Sequence, residues 1–307
     1  MQNTLKTTAS FSGFGLHGGQ PVQMHVHPAP AGHGIVFKRT DLPADSALIP
    51  ARWDRVVPSR LCTLVANEAG ASVSTVEHVM AALAGCAIHN AVIDIDGPEV
   101  PILDGSSDPF VRGFLDAGLQ AQDQTIHAIR VLAPIEVQDG EAMARLEPAE
   151  SLEIDFQIEF SEAAIGRQAK RLNLANGAFV RELCDSRTFC RQIDVDAMRA
   201  NGLALGGTLE NAVVFHGDRV LSPGGLRHAD EPVRHKMLDA LGDLSLAGAP
   251  LLARYTGLRA GHALTNRLLR ALFARPDAYE WVEVGQSMLG NLPGIGMIAE
   301  DLPVRAA

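Results

Sequence analysis

Two domains of mixed α and β structure are what this sequence predicts, on three observations. The chain has 307 residues, which at roughly 150 residues per domain makes two. Both halves contain segments of strict apolar–polar alternation and segments of helical period. A short stretch also recurs half a chain apart. Val76-Glu77-His78-Val79-Met80 and Val233-Arg234-His235-Lys236-Met237 share Val, His and Met at one offset of 157, and each opens a predicted helix. Chance would also give three identities in five. If the echo is a duplication, two similar halves each present a histidine from a helix start, and facing each other they could share one metal.

The elements follow in order. Pro21 to His27 alternates as a strand, with Val22, Met24 and Val26 on one face. Ser74 to Ala84 reads as a helix, and Ala91 to Ile95 as a strand ended by the Gly97-Pro98 turn. A helix is expected over Asp108 to Ala117. Leu152, Ile154, Phe156, Ile158 and Phe160 alternate with polar residues as a half-buried strand does. Helices are expected again over Glu231 to Leu241 and from about Ala263 to Phe273. Pro109 and Pro232 sit where a first helical residue would, behind Asp108 and Glu231 as candidate caps. The polar stretch from Gly118 to Ile126 marks the expected boundary, giving domains of residues 1–122 and 123–307. Leu292 to Ala307, rich in Gly and Pro, should be irregular.

Composition removes several function classes. Asp plus Glu outnumber Lys plus Arg by 36 to 26, a formal charge of −10. General nucleic-acid binding needs a dense basic surface, so it is excluded, although a local pocket for one phosphate group stays open. Ordinary apolar and charged fractions, 47% and 20%, exclude disorder, collagen and coiled coil. The longest nearly apolar stretch, Val79 to Ile88, is half the roughly 20 residues a membrane-spanning helix needs. No apolar core of signal-peptide length opens the chain. Cys62, Cys86, Cys184 and Cys190 form no C-x-x-C pair, which speaks against a zinc ribbon, a thioredoxin-like site and a disulfide framework. A soluble cytoplasmic protein with reduced thiols is expected.

His235 and Asp239 stand four apart on a predicted helix. Both side chains project from one face a turn apart and can reach one divalent ion, and Asp243 extends that face. An exposed helical His–Asp pair would look the same. In Glu77-His78, the imidazole could bind metal while the carboxylate handles protons. Ser74-Thr75-Val76-Glu77 also fits a capping box, in which Glu77 bonds the Ser74 N–H and His78 is merely packed. Together His78, His235 and Asp239 make a two-nitrogen, one-oxygen set with a fourth position left for water, the pattern of a catalytic zinc site. Zinc brings the pKa of such a water to about 7. No H-E-x-x-H motif is present, which disfavours a thermolysin-like protease. His262, behind Gly261 at a helix start, could be the general acid for a leaving amine, kept protonated by a carboxylate such as Asp243. A surface histidine at a helix end is the plain alternative. The Gly-rich run Ser12 to Gly19 reads as a tight turn, His25 and His27 as the polar face of a strand, and Leu103-Asp104-Gly105-Ser106 as a turn.

At this point the motifs SGFGLHGG (12–19), STVEHVMAALAG (74–85), PILDGSS (101–107), SRTF (186–189), VRHKMLDALGDL (233–244) and GHALTN (261–266) occur in one order. The chain resembles the zinc-dependent UDP-3-O-acyl-N-acetylglucosamine deacetylase family of Gram-negative bacteria, which catalyses the committed step of lipid A synthesis. The resemblance runs from about residue 4 to 275. It implies Zn(2+) held by His78, His235 and Asp239, Glu77 as general base, and His262 as general acid or cationic group oriented by Asp243. Thr188 would help polarise the amide carbonyl and stabilise the oxyanion. Phe189 would contact substrate, Lys236 its diphosphate or sugar, and His17 and Phe160 its nucleotide end. Asp104 would stand near the site and Asp194 near the sugar–diphosphate path. The implied substrate is a small molecule, a UDP-linked acylated amino sugar, and a monomer is expected.

The family fold is implied as well. Two similar α+β domains would pack with their helices between two outer sheets, each carrying an insert. The second insert, about Arg191 to Arg219, would form an apolar acyl passage from Ile193, Val195, Met198, Leu203 and Leu205. SRTFCRQ (186–192) departs from the more apolar sequence expected there, with Arg191 near the expected mouth of that passage, and Arg60 stands where many relatives carry an apolar residue. Two other readings stay open: a zinc deacetylase of a different acylated amino sugar, and a catalytically silent relative that only binds a nucleotide sugar.

Overall fold

The structure, a computed structural model, describes residues 1–303. The first half runs β1 (Asn3–Leu5), β2 (Ala9–Phe14), β3 (Pro21–Pro28), β4 (Ile35–Arg39), β5 (Leu48–Pro50), β6 (Val56–Val57), β7 (Leu64–Ala66), β8 (Ser72–Ser74), α1 (Glu77–Gly85), β9 (Ala91–Ile95) and α2 (Asp108–Ala117). β10 (Leu119–Ala121) ends the first half, and the second continues with β11 (His127–Val131), β12 (Ile135–Asp139), β13 (Ala142–Pro148), β14 (Glu153–Glu159), β15 (Arg167–Asn173), α3 (Ala178–Glu182), β16 (Phe189–Arg191), α4 (Gln192–Ala200), β17 (Val213–His216) and β18 (Arg219–Val220). It closes with α5 (Glu231–Ser245), β19 (Leu251–Leu258), α6 (His262–Phe273), β20 (Tyr279–Glu283) and α7 (Gln286–Leu289).

The halves repeat one topology. The first sheet is ordered β2-β3-β9-β4-β5, paired antiparallel, antiparallel, parallel, antiparallel. In the second, β12-β13-β19-β14-β15 pair with the same four senses, and β11 and β20 extend the sheet from β19. One helix precedes and one follows the third strand of each order: α1 and α2 around β9, α5 and α6 around β19. This α+β repeat is what the 157-residue echo belongs to.

Each sheet buries one face under its helices. α2 packs on β2, where Phe11 meets Phe110 and Phe114 edge to face at 5.0 and 5.8 Å. α6 packs on β12 and β13, and α5 on β14 and β15. α1 and α5 then meet in the middle, and one apolar core runs through both halves. The approach of these two helices depends on a glycine, because a Cβ on Gly242 would lie 2.0 Å from the carbonyl oxygen of Glu77. The repeated histidines consequently face each other, with ring centroids 5.0 Å apart and planes at 86°.

Several expectations shift in detail. α2 and β9 occupy the residues expected of them, and α5 runs one turn further. Helix α1 begins at Glu77, not Ser74. Ser74 is the last residue of β8 and its N–H donates to the carbonyl of Pro98. Thr75 then takes φ 57°, a left-handed conformation that is costly for a β-branched residue. The capping box is therefore absent. Asp108 and Glu231 are first-turn residues of their helices, with the prolines second, and neither serves as N-cap. The polar stretch at 118–126 contains β10, which pairs antiparallel with β1. From Leu292 to residue 303 the chain is irregular apart from one turn of 3₁₀ helix at Ala299–Asp301, and the rest of that expectation, residues 304–307, lies outside the described residues. Among the described residues no helix is long and apolar enough to cross a membrane.

Candidate metal centre and active-site cleft

The first turn of α1 carries Glu77 and His78, and successive turns of α5 carry His235, Asp239 and Asp243. All five are buried. One ligating atom from each of His78, His235 and Asp239 lies within 4.8 Å of the other two. Asp239 Oδ1 stands 3.2 Å from His235 Nε2 and 3.6 Å from His78 Nε2. His235 Nδ1 lies 3.0 Å from the carbonyl of Ser186. A carbonyl only accepts, so Nδ1 carries the proton and Nε2 presents its lone pair to the triad. Burial pushes the His235 imidazole down to about 4, so it is neutral at pH 7. Burial alone would raise the Asp239 carboxyl, but His235 and Lys236 hold it well below the usual carboxylate range. Its Oδ2 accepts from Lys236 Nζ at 2.7 Å, while Oδ1 is buried with no hydrogen-bond partner. An orphaned anionic oxygen facing two imidazole nitrogens fits a divalent cation.

Glu77 stands beside the triad. Its Oε2 accepts from the Thr63 N–H at 3.0 Å, and Oε1 lies 3.8 Å from His262 Nε2. Burial raises the Glu77 carboxyl, with His262 and His78 pulling it back in part. His262 is the first residue of α6. Its Nδ1 meets Asp243 Oδ2 at 2.8 Å. Desolvation would lower this imidazole, yet the charges of Asp243 and Glu77 outweigh it and raise the pKa to about 9. Asp243 is itself held by the Thr63 hydroxyl.

These groups form one end of a cleft of about 730 Å³. Glu77, His78, His235, Lys236, Asp239, His262, His17, Phe160, Thr188, Phe189 and Asp194 all line it. Asp243 sits behind His262. Asp104 is not brought to the cleft wall: it accepts from the Ser106 N–H and hydroxyl and from Arg227 Nη2, and it shapes the turn before α2. Lys236 reaches the cleft but spends its ammonium on Asp239. Asp194 is gripped by Arg191. Both ring nitrogens of His17 are buried without a partner. Of the expected apolar residues in the insert, Val195 and Met198 line the cleft, whereas Ile193 and Leu205 are 67% and 56% exposed. A second cavity of about 510 Å³ opens along the far parts of α1 and α5, at Met80, Leu83, Leu241 and Leu244, and is lined by none of the candidate catalytic, metal or substrate residues.

Three carboxylates and a threonine escape the sequence reading although they fix the site. Glu99 accepts from the N–H groups of His17 and Gly18 and from the Thr75 hydroxyl, and so holds the Gly-rich turn against the start of α1. That turn receives the second insert in turn: Leu205 N–H donates to the His17 carbonyl and Gly206 N–H to that of Leu16. Glu231, fully buried, accepts from Arg187 N–H, Nε and Nη2 and from Arg227 N–H. It thereby clamps the Ser186–Thr188 segment, with its carbonyl to His235, onto the start of α5. Thr63 ties Glu77 to Asp243, and Asp185 meets His228 at 2.8 Å beside that segment. Only Glu231 carries a local sequence signal, its place at a helix start.

Comparison with known proteins agrees with this geometry. A family model described as UDP-3-O-acyl N-acetylglycosamine deacetylase (LpxC) matches residues 2–274. A protein of Phenylobacterium zucineum (strain HLK1) named UDP-3-O-acyl-N-acetylglucosamine deacetylase is 50% identical over 278 residues, 91% of this chain and 95% of its own. Proteins of the same name from Shewanella frigidimarina (strain NCIMB 400) and Shewanella baltica (strain OS155 / ATCC BAA-1091) are 44% and 43% identical over 283 residues, 92% of each chain. A match along nearly the full sequence, with the paired helices and the buried His–His–Asp cluster in place, puts this chain in the UDP-3-O-acyl N-acetylglycosamine deacetylase family.

Proposed function

We propose that this chain hydrolyses the N-acetyl group of UDP-3-O-(3-hydroxyacyl)-N-acetylglucosamine, releasing acetate and the free 2-amine, in lipid A biosynthesis. The observation that carries the proposal is the buried His78–His235–Asp239 triad flanked by Glu77 and His262 in one cleft. Two imidazoles and one carboxylate suit zinc with an open fourth position. When bound, zinc supplies Lewis acidity toward the acetyl carbonyl and acidifies water. Glu77 takes the proton from the attacking water, its raised carboxyl bringing its basicity toward working pH. Thr188, on the cleft wall, donates its hydroxyl to the developing oxyanion. His262 gives a proton from Nε2 to the departing amine, while its Nδ1–H stays on Asp243. The alternation of β16, with Phe189 edge to face against Phe160 at 5.4 Å, shapes the entrance for the sugar.

On the same reading the protein works in the cytoplasm as a monomer. Its four unpaired cysteines suit a reducing compartment. We divide it at residues 122 and 123, where the first repeat has closed with β10 on β1. The deciding experiment is acetate release by metal-stripped protein with and without about one equivalent of zinc. Zinc-restored release is expected. Tight stoichiometric zinc binding without release would refute the substrate and favour a different acylated amino sugar.

A further inference from the structure

The short strand β16 places a cation, Arg191, on the cleft wall. Alternation puts Phe189 and Arg191 on one face of β16 and Cys190 on the other. Phe189 packs on Phe160, and Arg191 Nη1 stands 3.6 Å from Glu162, so that face looks toward the 160–162 segment. Cys190 points the opposite way, in register with Val214. Cys190 and Val214 also line the cleft, so Arg191 sets a cation beside their apolar surface. It lines the cleft beside Phe160 and Asp194.

Its guanidinium is held by a partner that a ligand can replace. Nε donates to Asp194 Oδ2 at 2.5 Å and Nη2 to Oδ1 at 2.7 Å, a two-pronged pair with side chains 33% and 40% exposed. The geometry is that of a good bidentate pair, but both side chains are open to solvent, which screens their attraction and leaves the carboxylate free to exchange. A phosphate group offers a guanidinium the same fork of two oxygens with more charge. The other long cations of the cleft have fixed partners, Lys236 on Asp239 and Arg199 on the Gly207 carbonyl.

We propose that Arg191 binds the diphosphate of the substrate, and that Asp194 and Glu162 hold the guanidinium ready until the diphosphate displaces the Asp194 carboxylate. This rests on the deacetylase reading above and reverses the sense expected for Asp194, which becomes a placeholder for the diphosphate and not its neighbour. The test is titration of the zinc-loaded protein with UDP and with uridine. In the wild type UDP binds more tightly than uridine. Arg191→Ala should weaken UDP by about tenfold and leave uridine unchanged, and Arg191→Lys, which keeps the charge but loses the fork, should fall between. Asp194→Asn should tighten UDP by about twofold or more, a gain that shrinks in the Arg191→Ala background. An unchanged UDP-to-uridine ratio in Arg191→Ala, or weaker UDP binding by Asp194→Asn, would overturn the proposal. Acetate release is measured on the same wild-type preparation. Release with a failed UDP test overturns this proposal alone, and no release overturns the reading beneath it as well.

Discussion

Alanine at position 242 sets two opposing effects against each other. Gly242 lies inside α5, where alanine is favoured over glycine by about 1 kcal/mol. The new Cβ, however, would sit 2.0 Å from the Glu77 carbonyl oxygen and 2.8 Å from its carbon, closer than the 3.0 Å that real Cβ atoms respect. The obstacle is backbone, so no side chain can swing away and α1 and α5 must part by about 1 Å. Overpacking of this kind costs about 1–3 kcal/mol, so metal-free Gly242→Ala should be less stable, by up to about 2 kcal/mol net of the propensity gain. The functional loss should be larger than that figure suggests. His78 rides on α1 while His235 and Asp239 ride on α5, and a metal site tolerates only about 0.2 Å in its ligand distances. The urea midpoint of the metal-free protein and a chelator competition for zinc measure the two effects separately. A variant that gains about 1 kcal/mol and keeps wild-type zinc affinity would refute the argument that glycine is there to let the helices meet.

Three further outcomes follow from the same geometry. Glu77→Gln should lower kcat by about 10²- to 10⁴-fold while zinc content by metal analysis stays at wild type, because Glu77 is beside the triad and not in it; near-normal turnover would remove it from the proton transfers. The pH–rate profile should be a bell, with an acid limb above the ordinary carboxylate range set by Glu77 and an alkaline limb set by His262 at about 9. Asp243→Asn should carry the alkaline limb down toward the ordinary 6.5. The linked stability has the same sign: a raised histidine pKa stabilises fully below 6.5 and the contribution is lost as pH rises through about 9, which urea midpoints across that window would register. Glu231→Ala strands the Arg187 guanidinium in the interior and should cost about 3–5 kcal/mol, with faster zinc loss to chelator as the Ser186 carbonyl loosens from His235; unchanged zinc retention would separate that clamp from the metal site.

The contrast between what the sequence shows and what it hides is a matter of chemical distance. Helix α2 is legible because its signals are local, with Pro109 inside the start and Gly118 just past the end. The candidate metal triad is legible because His235 and Asp239 share one helix face and His78 repeats the His235 pattern. The same repeat is invisible in the strands. β3 and β13 begin 121 residues apart and β9 and β19 begin 160 apart, since inserts of different length intervene, so no single offset aligns the halves. The start of α1 is misread because a tertiary bond wins over a local one: Ser74 joins β8 and bonds Pro98, Thr75 bends to positive φ, and Glu77 is released from any capping duty to meet Thr63 and the cleft. Glu99 and Glu231 stay hidden for a related reason. Most of their partners are far along the chain, and those that are backbone N–H groups, such as Gly18 for Glu99 and Arg187 for Glu231 at 81 and 44 residues, leave no mark on residue type. What a single sequence discloses is therefore the groups proposed to do chemistry. The groups that hold them still are disclosed only when the chain has folded.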